Sequence, residues 1–257
     1  MPGLRQVRAA VMALGAVGGL SGALFGLLTE QGRRARLAIG VLEHLAPAAN
    51  GLFGTGTGEP LHLAVLGDSM GVGVGVETFE QLPGVLLATG LAEEAGRPVR
   101  LDTLAVSGST TRDLPRQVDV VLESPPTVAL IVIGANDVTT RMSIAESARL
   151  LGSQVARLRA AGAGVVVATC PDLGSVLPIA QPLRTVARQY SLRLARAQRA
   201  EVFKAGGTPV GLAELLSPEF VARPADYFSR DRFHPSAVGY AAAVAVLLAP
   251  VCAAAGV

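Results

Sequence analysis

Residues 61–69, LHLAVLGDS, form a short and largely apolar run that ends in Gly67, Asp68 and Ser69. A run of this length that ends in glycine is typical of a strand buried in a parallel sheet. In open α/β sheets, ligands bind at the carboxyl ends of the strands. The stretch therefore predicts a buried strand with Ser69 at an edge of the sheet where a site can form.

Similar apolar runs recur along the rest of the chain. They predict four further strands, at residues 99–106, 127–134, 164–170 and 208–211. Strands that alternate with helices form right-handed βαβ units. We therefore predict an α/β fold with a five-stranded parallel sheet that is covered by helices on both faces.

Helical patterns lie between these strands. They cover residues 80–95, 111–123, 143–161 and 181–205, and a last helix follows Ser236. Ser143 and Glu146 have the spacing of a capping box, in which each side chain bonds to a backbone N–H of the first turn. This spacing predicts where the helix at 143–161 begins.

Composition excludes several classes of protein. The chain has 257 residues, of which half are apolar and 16% are charged, so it can bury a large core. Disorder over most of the chain is excluded, because disordered segments have few apolar residues. The net charge of +2 is too small for a dedicated nucleic-acid-binding protein, so we expect no nucleic-acid partner.

Residues that bind metals or form disulfides are few. The chain has three histidines and two cysteines: His44, His62, His234, Cys170 and Cys252. They are too scattered for a zinc site, and the only lysine, Lys204, is not part of a P-loop. We therefore expect no metal and no cofactor. A disulfide between the two cysteines stays open.

Residues 1–37 differ in character from the rest of the chain. No charge lies between Ala9 and Thr29, and as a helix this stretch spans about 32 Å, enough for a bilayer core. A secretory signal has a shorter apolar segment and a cleavage site. We therefore expect an uncleaved membrane anchor with an extracytoplasmic domain, with secretion as the alternative. Residues 38–60 are predicted to be a stalk or linker, and residues 61–257 a globular domain.

Polar residues follow the predicted strands at one edge of the sheet. Four blocks carry them: Gly67-Asp68-Ser69, Ser107-Gly108-Ser109-Thr110, Gly134-Ala135-Asn136-Asp137 and Asp231-Arg232-Phe233-His234-Pro235. A serine, a loop glycine, an asparagine and an Asp-x-x-His pair are the groups that acyl transfer through a serine nucleophile requires.

Each block can supply one role in that chemistry. Serine is a weak nucleophile until a base takes its proton, and His234 is the only histidine in a late polar loop. Asp231 is placed to hold the imidazole in the required tautomer. The oxyanion needs hydrogen-bond donors, and the backbone N–H groups of Ser69 and Gly108 and the side-chain amide of Asn136 are the candidates.

The four blocks resemble those of the SGNH (GDSL-type) hydrolase superfamily, in the family's order, over roughly residues 61–250. The resemblance implies a flavodoxin-like three-layer α/β/α domain that hydrolyses carboxylic esters. The roles it implies are catalytic for Ser69, Asp231 and His234, and oxyanion-binding for Ser69, Gly108 and Asn136.

Two departures from the family pattern do not touch these positions. Met70 stands where the name-giving leucine would be. Thr103 and Leu104 occupy the region where many members carry an asparagine before the second block. The support of that loop is therefore not carried over from the family.

Several functions stay open at this point. The leading hypothesis is a serine esterase, and the second is an envelope acyltransferase that passes the same acyl group to a sugar or lipid hydroxyl. A non-catalytic binding module is the third. The expected partners are a small-molecule, lipid or glycan ester and, through the N-terminal helix, a membrane.

Neighbouring segments carry alternatives of their own. Loop 171–182 either lines an acyl pocket or covers the sheet edge. The segment 71–75 is interpreted as a flexible wall of the active site. The arginines of the helix at 181–205 form either a solvated face or a surface for an anionic membrane. Asp137 is expected to order its own loop, and Asp68 to accept backbone hydrogen bonds.

Overall fold

The computed structural model describes residues 4–39 and 49–257, with side chains from residue 22 onward. It contains one sheet with the strand order β1-β3-β2-β4-β5-β6. The strands are β1 (Gly51–Phe53), β2 (Leu61–Gly67), β3 (Val99–Thr103), β4 (Val128–Val132), β5 (Gly164–Ala168) and β6 (Thr208–Val210). Strands β2 to β6 are parallel, and β1 pairs with β3 antiparallel. The predicted five parallel strands are confirmed, in the order of flavodoxin-like sheets.

Helices cover both faces of this sheet. They are α1 (Leu4–Ile39), α2 (Ser69–Val72), α3 (Pro83–Ala95), α4 (Leu114–Val121), α5 (Ala135–Thr139), α6 (Ile144–Ala160), α7 (Leu183–Lys204), α8 (Leu212–Ala222), α9 (Pro224–Tyr227) and α10 (Ala237–Ala255). Helices α3 and α10 pack together on one face, and α4, α6 and α7 pack on the other. The three-layer α/β/α architecture is therefore confirmed.

The central strands are apolar on both faces, which is why they lie in the middle of the sheet. Every residue of β2, β4 and β5 is buried. Successive side chains of a strand point to opposite faces. Leu63 and Val65 accordingly belong to the core under α3 and α10, and Ala64 and Leu66 belong to the core under α4 and α6.

The structure differs from the sequence prediction at the edge of the sheet. Within the predicted linker 38–60, β1 adds a sixth strand that pairs with β3, and the Asn50 side-chain carbonyl accepts the Thr103 N–H at 2.8 Å. A strand of three residues that begins with glycine is too short to give a periodic signal. The end of the predicted linker is therefore part of the sheet. Its residues 40–48 lie outside the described part of the chain.

The predicted capping box does not form. Ser143 precedes α6 as expected, but its side chain caps no backbone N–H. The Glu146 carboxylate instead pairs with the Arg112 guanidinium at 2.9 Å. A tertiary ion pair with Arg112 therefore forms in place of the hydrogen bonds of the capping box.

One helix of the described part of the chain has the length and hydropathy of a membrane span, but it packs as a core helix. Within the described residues, α10 is long and apolar enough to cross a membrane, with a mean hydropathy of 2.1. It packs against α3 and β5 and buries Tyr240, Leu247 and Val251, as the core helix of an α/β layer does. The predicted anchor at 1–37 falls largely on α1, but residues 1–3 and the side chains before Gly22 lie outside the described part, so the anchor stays a prediction.

Candidate active site

The turn after β2 depends on a glycine and on a distant glutamine. Gly67 has a φ of 124°, and a Cβ there would lie 1.8 Å from the Val132 carbonyl oxygen. The Gln117 side chain accepts the Gly67 N–H at 2.7 Å and donates to the Gly67 carbonyl at 2.9 Å. Gln117 thus extends the hydrogen bonding of the strand to its last residue. The sequence offered no signal for this role, because the two residues are fifty positions apart.

Ser69 is the first residue of α2, directly beyond this turn. Asp68 precedes it as the N-cap, and its side chain accepts the Met70 N–H at 3.0 Å. Asp68 is 1% exposed, and this burial raises the pKa of its carboxyl group to about 7. The expected role of Asp68 as a backbone acceptor is borne out by this hydrogen bond.

Ser69, His234 and Asp231 form one hydrogen-bonded chain. The Ser69 Oγ lies 2.9 Å from the His234 Nε2, and the His234 Nδ1 lies 2.6 Å from the Asp231 Oδ2. A carboxylate can only accept, so Nδ1 carries the proton and Nε2 is left to accept from Ser69. This is the arrangement in which a histidine can take the proton of a serine hydroxyl.

Asp231 is fixed through its second oxygen. Its Oδ1 accepts the Ser229 hydroxyl and the N–H groups of Phe233 and His234, all at 2.8 to 2.9 Å. Burial acts to raise the pKa of Asp231, but the His234 ring and these backbone donors outweigh it and hold the pKa below its ordinary value. Asp231 is therefore a carboxylate at neutral pH and orients the imidazole.

The glycine-rich segment 71–75 packs directly against the histidine loop. A Cβ on Gly75 would lie 2.5 Å from the Pro235 carbonyl oxygen and 3.1 Å from the His234 Cβ. Gly75 also has a φ of 111°, which disfavours any other residue. Gly75 therefore permits the close approach of two loops, and the role of the segment as a flexible wall of the active site stays a prediction.

Donors for an oxyanion lie on three neighbouring loops. Gly108 has a φ of 85°, and the Asn136 Nδ2 donates to the Ser109 carbonyl at 3.0 Å, which leaves its second N–H free for another acceptor. Among the described residues, the backbone N–H groups of Ser69 and Gly108 have no hydrogen-bond partner. The predicted donor set is therefore available to receive a negatively charged oxygen.

Asp137 ties these loops to α6. It is fully buried and accepts the Thr111 N–H at 2.8 Å, the Thr111 hydroxyl at 2.5 Å and the Ser147 hydroxyl at 2.6 Å. All its contacts are structural, so Asp137 orders its loop as expected.

The two cysteines are both free. Cys170 is buried near Asp137, and this burial raises the pKa of its thiol; Cys252 is also free. No cluster of three or more metal-ligating side chains occurs in the part of the chain that the structure describes.

Comparison with known proteins agrees with this geometry. A sequence model of the GDSL-like Lipase/Acylhydrolase family matches residues 65–242. A GDSL-like esterase of Mycobacterium tuberculosis is 46% identical over 233 residues, which cover 86% of this chain and 74% of that protein. The chain belongs to this family. It is accordingly a carboxylic ester hydrolase.

Solved structures show the same fold at low sequence identity. The lipase/acylhydrolase of Enterococcus faecalis has a TM-score of 0.59 and 18% identity, over 75% of this chain and 96% of that one. The acetylxylan esterase Axe2 of Geobacillus stearothermophilus has a TM-score of 0.57 and 21% identity, over 76% and 95%. The three-layer fold of the GDSL-like hydrolase is thus shared with them.

An apolar cleft opens beside Ser69 in the GDSL-like hydrolase, with about 580 Å³ of empty space when its open mouth is included. Its apolar lining comes from the loop after β5, from α8 and from the loop before α10: Leu173, Val176, Leu212, Leu216, Phe220, Phe228 and Phe233. Loop 171–182 therefore lines a pocket next to the serine. It also contributes Ile179 to the core, whereas Leu177 is exposed.

Helix α8 was missed by the sequence analysis, although it supplies much of this lining. Leu212, Leu216 and Phe220 recur every four residues, which is a helical signal. Pro218 inside the segment disfavours a helix and obscured that signal.

A polar groove of about 600 Å³ lies next to Gly108. Its lining contains mainly hydroxyl, amide and charged groups: Ser107, Ser109, Asp113, Arg116 and Gln117, with Gly108 and Val106. Gly108 is an expected oxyanion donor, and Ser69 lines the apolar cleft. The GDSL-like hydrolase thus presents an apolar wall to one side of its reactive groups and a polar one near the oxyanion loop.

Proposed function

We propose that this GDSL-like hydrolase is a serine esterase that forms an acyl-enzyme on Ser69. One observation supports the proposal above all others. The Ser69 hydroxyl, the His234 imidazole and the Asp231 carboxylate are joined by hydrogen bonds of 2.9 and 2.6 Å at the rim of an apolar cleft. An intact chain of this kind also argues against a non-catalytic binding module.

Acylation begins with proton transfer from Ser69. The His234 Nε2 accepts the hydroxyl proton while the Ser69 Oγ bonds to the ester carbonyl carbon and the carbonyl electron pair moves to oxygen. The N–H groups of Ser69, Gly108 and Asn136 stabilise this oxyanion. When the carbonyl re-forms, the bond to the alcohol oxygen breaks, and that oxygen takes the proton from Nε2.

Deacylation repeats these steps with water. The His234 Nε2 takes a proton from water as its oxygen attacks the acyl carbon, and the released Ser69 Oγ recovers that proton. Asp231 stabilises the imidazolium in both halves through the contact with Nδ1. Neither half requires a metal or a cofactor.

The shape of the site favours esters with an apolar acyl group. The cleft lined by Leu216, Phe220 and Val176 offers the acyl chain an apolar surface, and each buried methylene group contributes about 0.8 kcal/mol. The polar groove beside Gly108 suits an alcohol part with hydroxyl groups. Such substrates include lipid and glycan esters.

The test uses p-nitrophenyl esters of increasing acyl length and the full chain beside its Ser69→Ala variant. We expect hydrolysis by the natural chain and its loss in the variant, with unchanged circular dichroism. Equal rates in both proteins would overturn the assignment of Ser69.

The polar groove also favours a second function, acyl transfer to a hydroxyl acceptor. Deacylation by an acceptor alcohol instead of water needs a polar site near the acyl carbon, and the groove beside Gly108 provides one. Product analysis with added glycerol or glucose distinguishes the two: an acylated acceptor indicates a transferase, and free acid alone indicates an esterase.

The proposed location follows from the N-terminal sequence. The uncharged stretch Ala9–Thr29 supports a membrane anchor with an extracytoplasmic catalytic domain. Fractionation of cells and protease accessibility of intact spheroplasts test this location. Recovery of a shortened chain from the medium would instead support cleavage and secretion.

A further inference from the structure

Helix α1 is docked on the catalytic domain by polar and apolar contacts. The Gln31 side-chain amide donates to the Gln181 carbonyl at 2.5 Å, and its oxygen accepts the Leu183 N–H at 3.1 Å. Gly32 lies against the Leu183 side chain, and Ala35 is buried in the core. The end of α1 is therefore attached to the first turn of α7.

These contacts lie directly beyond the uncharged stretch. Gln31 follows Thr29 by two residues, which is about 3 Å along a helix axis. If the stretch spans a bilayer, as the proposed anchor requires, the first turn of α7 and the loop before it lie at the membrane surface. The catalytic domain is then held close to the bilayer without a long spacer.

A second contact joins α1 to another loop of the domain, closer to the middle of the uncharged stretch. The Arg141 guanidinium lies 5.9 Å from the centre of the Phe25 ring. Phe25 precedes Gln31 by six residues, about 9 Å further into the uncharged stretch. This contact holds Arg141 at the end of the domain nearest the uncharged stretch, from where its long side chain can extend to anionic headgroups.

Both contacted loops belong to the active-site edge of the sheet. Arg141 follows β4 in the same loop region as Asn136, and Gln181 follows β5 in the loop that carries Val176. Val176 lines the apolar cleft, and its neighbour Leu177 is 53% exposed. The apolar cleft and the two loops that contact α1 therefore share the carboxyl edge of the sheet, which the proposed anchor places near the membrane.

Several apolar side chains near these contacts are exposed to solvent. Besides Leu177, they are Val186 on the first turns of α7 and Leu24, Phe25 and Leu27 on α1. Val186 is three residues from Leu183, so it lies on the face of α7 that meets α1. We define Arg141, Leu177 and Val186 as the interfacial face.

We propose that the interfacial face docks on the bilayer that anchors α1, so that ester substrates enter the apolar cleft directly from the membrane surface. The proposal rests on the esterase function and the anchor proposed above. It names the substrate class as amphiphilic esters whose acyl chain resides in the lipid layer. The occupant of the face is a lipid surface with anionic headgroups, because the face combines apolar side chains with an arginine.

The orientation is tested by fluorescence on the full chain in vesicles of phosphatidylcholine and phosphatidylglycerol in equal parts. Both native cysteines are buried, so Leu177→Cys and Glu123→Cys each provide one accessible labelling site. Glu123 is exposed before β4, at the opposite edge of the sheet. We expect the emission of a label at 177 to shift to the blue and to be quenched by lipids with a headgroup nitroxide, and that of a label at 123 to do neither.

Every other outcome of this experiment overturns the proposal. Equal quenching at both positions means that the domain has no preferred orientation. A blue shift at 177 without quenching by lipid means that another protein surface, such as a second copy of this chain, covers the face. A chain that does not float with the vesicles lacks the anchor.

Kinetics separate this inference from the esterase function. Each charged group at an anionic surface contributes about 1 kcal/mol, so we expect Arg141→Gln to slow hydrolysis of p-nitrophenyl palmitate held in these vesicles about fivefold. Hydrolysis of dissolved p-nitrophenyl acetate should stay unchanged, and Arg149→Gln, on the exposed side of α6, should affect neither substrate. Equal effects of Arg141→Gln on both esters overturn the docking proposal alone. Failure of the natural chain to hydrolyse either ester overturns the esterase proposal instead.

Discussion

Two histidine–aspartate pairs lie at opposite ends of the same strand layer. At the carboxyl edge, the His234 Nδ1 is 2.6 Å from the Asp231 Oδ2. At the beginning of β2, the His62 Nε2 is 2.8 Å from the Oδ2 of Asp102 on the adjacent β3. His62 lies about 17 Å before the end of its strand, far from the cleft. The two pairs have similar nitrogen–oxygen distances, yet only one is placed for catalysis.

The difference lies in what the second ring nitrogen meets. The His234 Nε2 faces the Ser69 hydroxyl at 2.9 Å, whereas the His62 Nδ1 faces the Arg100 guanidinium at 3.0 Å. Burial, together with the charge of Arg100, lowers the pKa of His62 and keeps the ring neutral. An arginine cannot give up its proton, so both nitrogens of His62 have permanent partners. A histidine–aspartate pair becomes a base only where its free nitrogen meets a transferable proton.

The largest expected effect comes from exchanging the histidines for alanine. His234→Ala should lower kcat by about 10⁴ to 10⁶-fold, because no group remains to take the serine proton. His62→Ala should change kcat by less than about twofold, as a substitution away from the reacting groups. Steady-state hydrolysis of a p-nitrophenyl ester measures both. Comparable losses in the two variants would erase the distinction between the pairs.

The aspartates provide a second test of the same distinction. Asp231→Asn should lower kcat by about 10⁴-fold, because an amide can donate to Nδ1 and favour the wrong imidazole tautomer. Asp102→Asn is the matched control and should leave kcat within about twofold of the natural chain. Both variants should retain the natural far-ultraviolet circular dichroism. A normal rate for Asp231→Asn would mean that the tautomer is fixed by other groups.

A smaller effect is expected from removing an oxyanion donor at the carboxyl edge of the sheet. Asn136→Ala removes one expected oxyanion donor and should lower kcat by about 10² to 10³-fold with a small change in KM. The change acts on the transition state, where the negative charge develops. Loss of substrate affinity with an unchanged kcat would assign Asn136 to substrate binding instead.

The smallest effect concerns stability and the buried carboxyl group beside the serine. Burial raises the pKa of Asp68 to about 7, against 3.8 for an ordinary aspartate. Between these values the folded chain holds a proton that the unfolded chain has lost. The contribution of protonated Asp68 to the free energy of unfolding is therefore largest below about pH 4. It falls by up to about 1.4 kcal/mol per pH unit as the pH rises toward 7.

Asp68→Asn removes this titration and should flatten the pH dependence of the urea midpoint between about pH 4 and 7. Glu123→Gln serves as the control, because the Glu123 side chain is exposed. Its urea midpoints should keep the slope of the natural chain. An unchanged slope in Asp68→Asn would assign the pH dependence to other groups.

Much of the site could be predicted because its residues sit in short blocks after predictable strands. The apolar run of β2 locates Ser69, and the Asp-x-x-His block locates Asp231 and His234 before the last helix. The structure brings these three residues into one hydrogen-bonded chain, and their catalytic roles stay predictions until the variants are measured. Local pattern was sufficient here because parallel strands deliver their carboxyl ends to one edge.

Features that depend on distant partners could not be predicted. Gln117 completes β2 through contacts with Gly67, and no spacing in the sequence relates the two. The Glu146 side chain bonds to Arg112 and not to a backbone N–H of its own helix, because a bidentate guanidinium is the stronger partner. Because Pro218 disfavours a helix, α8 was not predicted, and neither was the part of the cleft lining that α8 supplies.

The contact between Ser69 and His234 joins residues 165 positions apart in the chain. Contacts of such sequence separation form late, since the entropy of closing a long loop has to be overcome first. During synthesis, β2 and its serine emerge well before the loop that carries His234. We therefore expect the nascent chain to have no esterase activity until its last helix has docked. With the proposed anchor and lipid-ester activity, this order of events would prevent newly made protein from hydrolysing lipids during its insertion into a membrane.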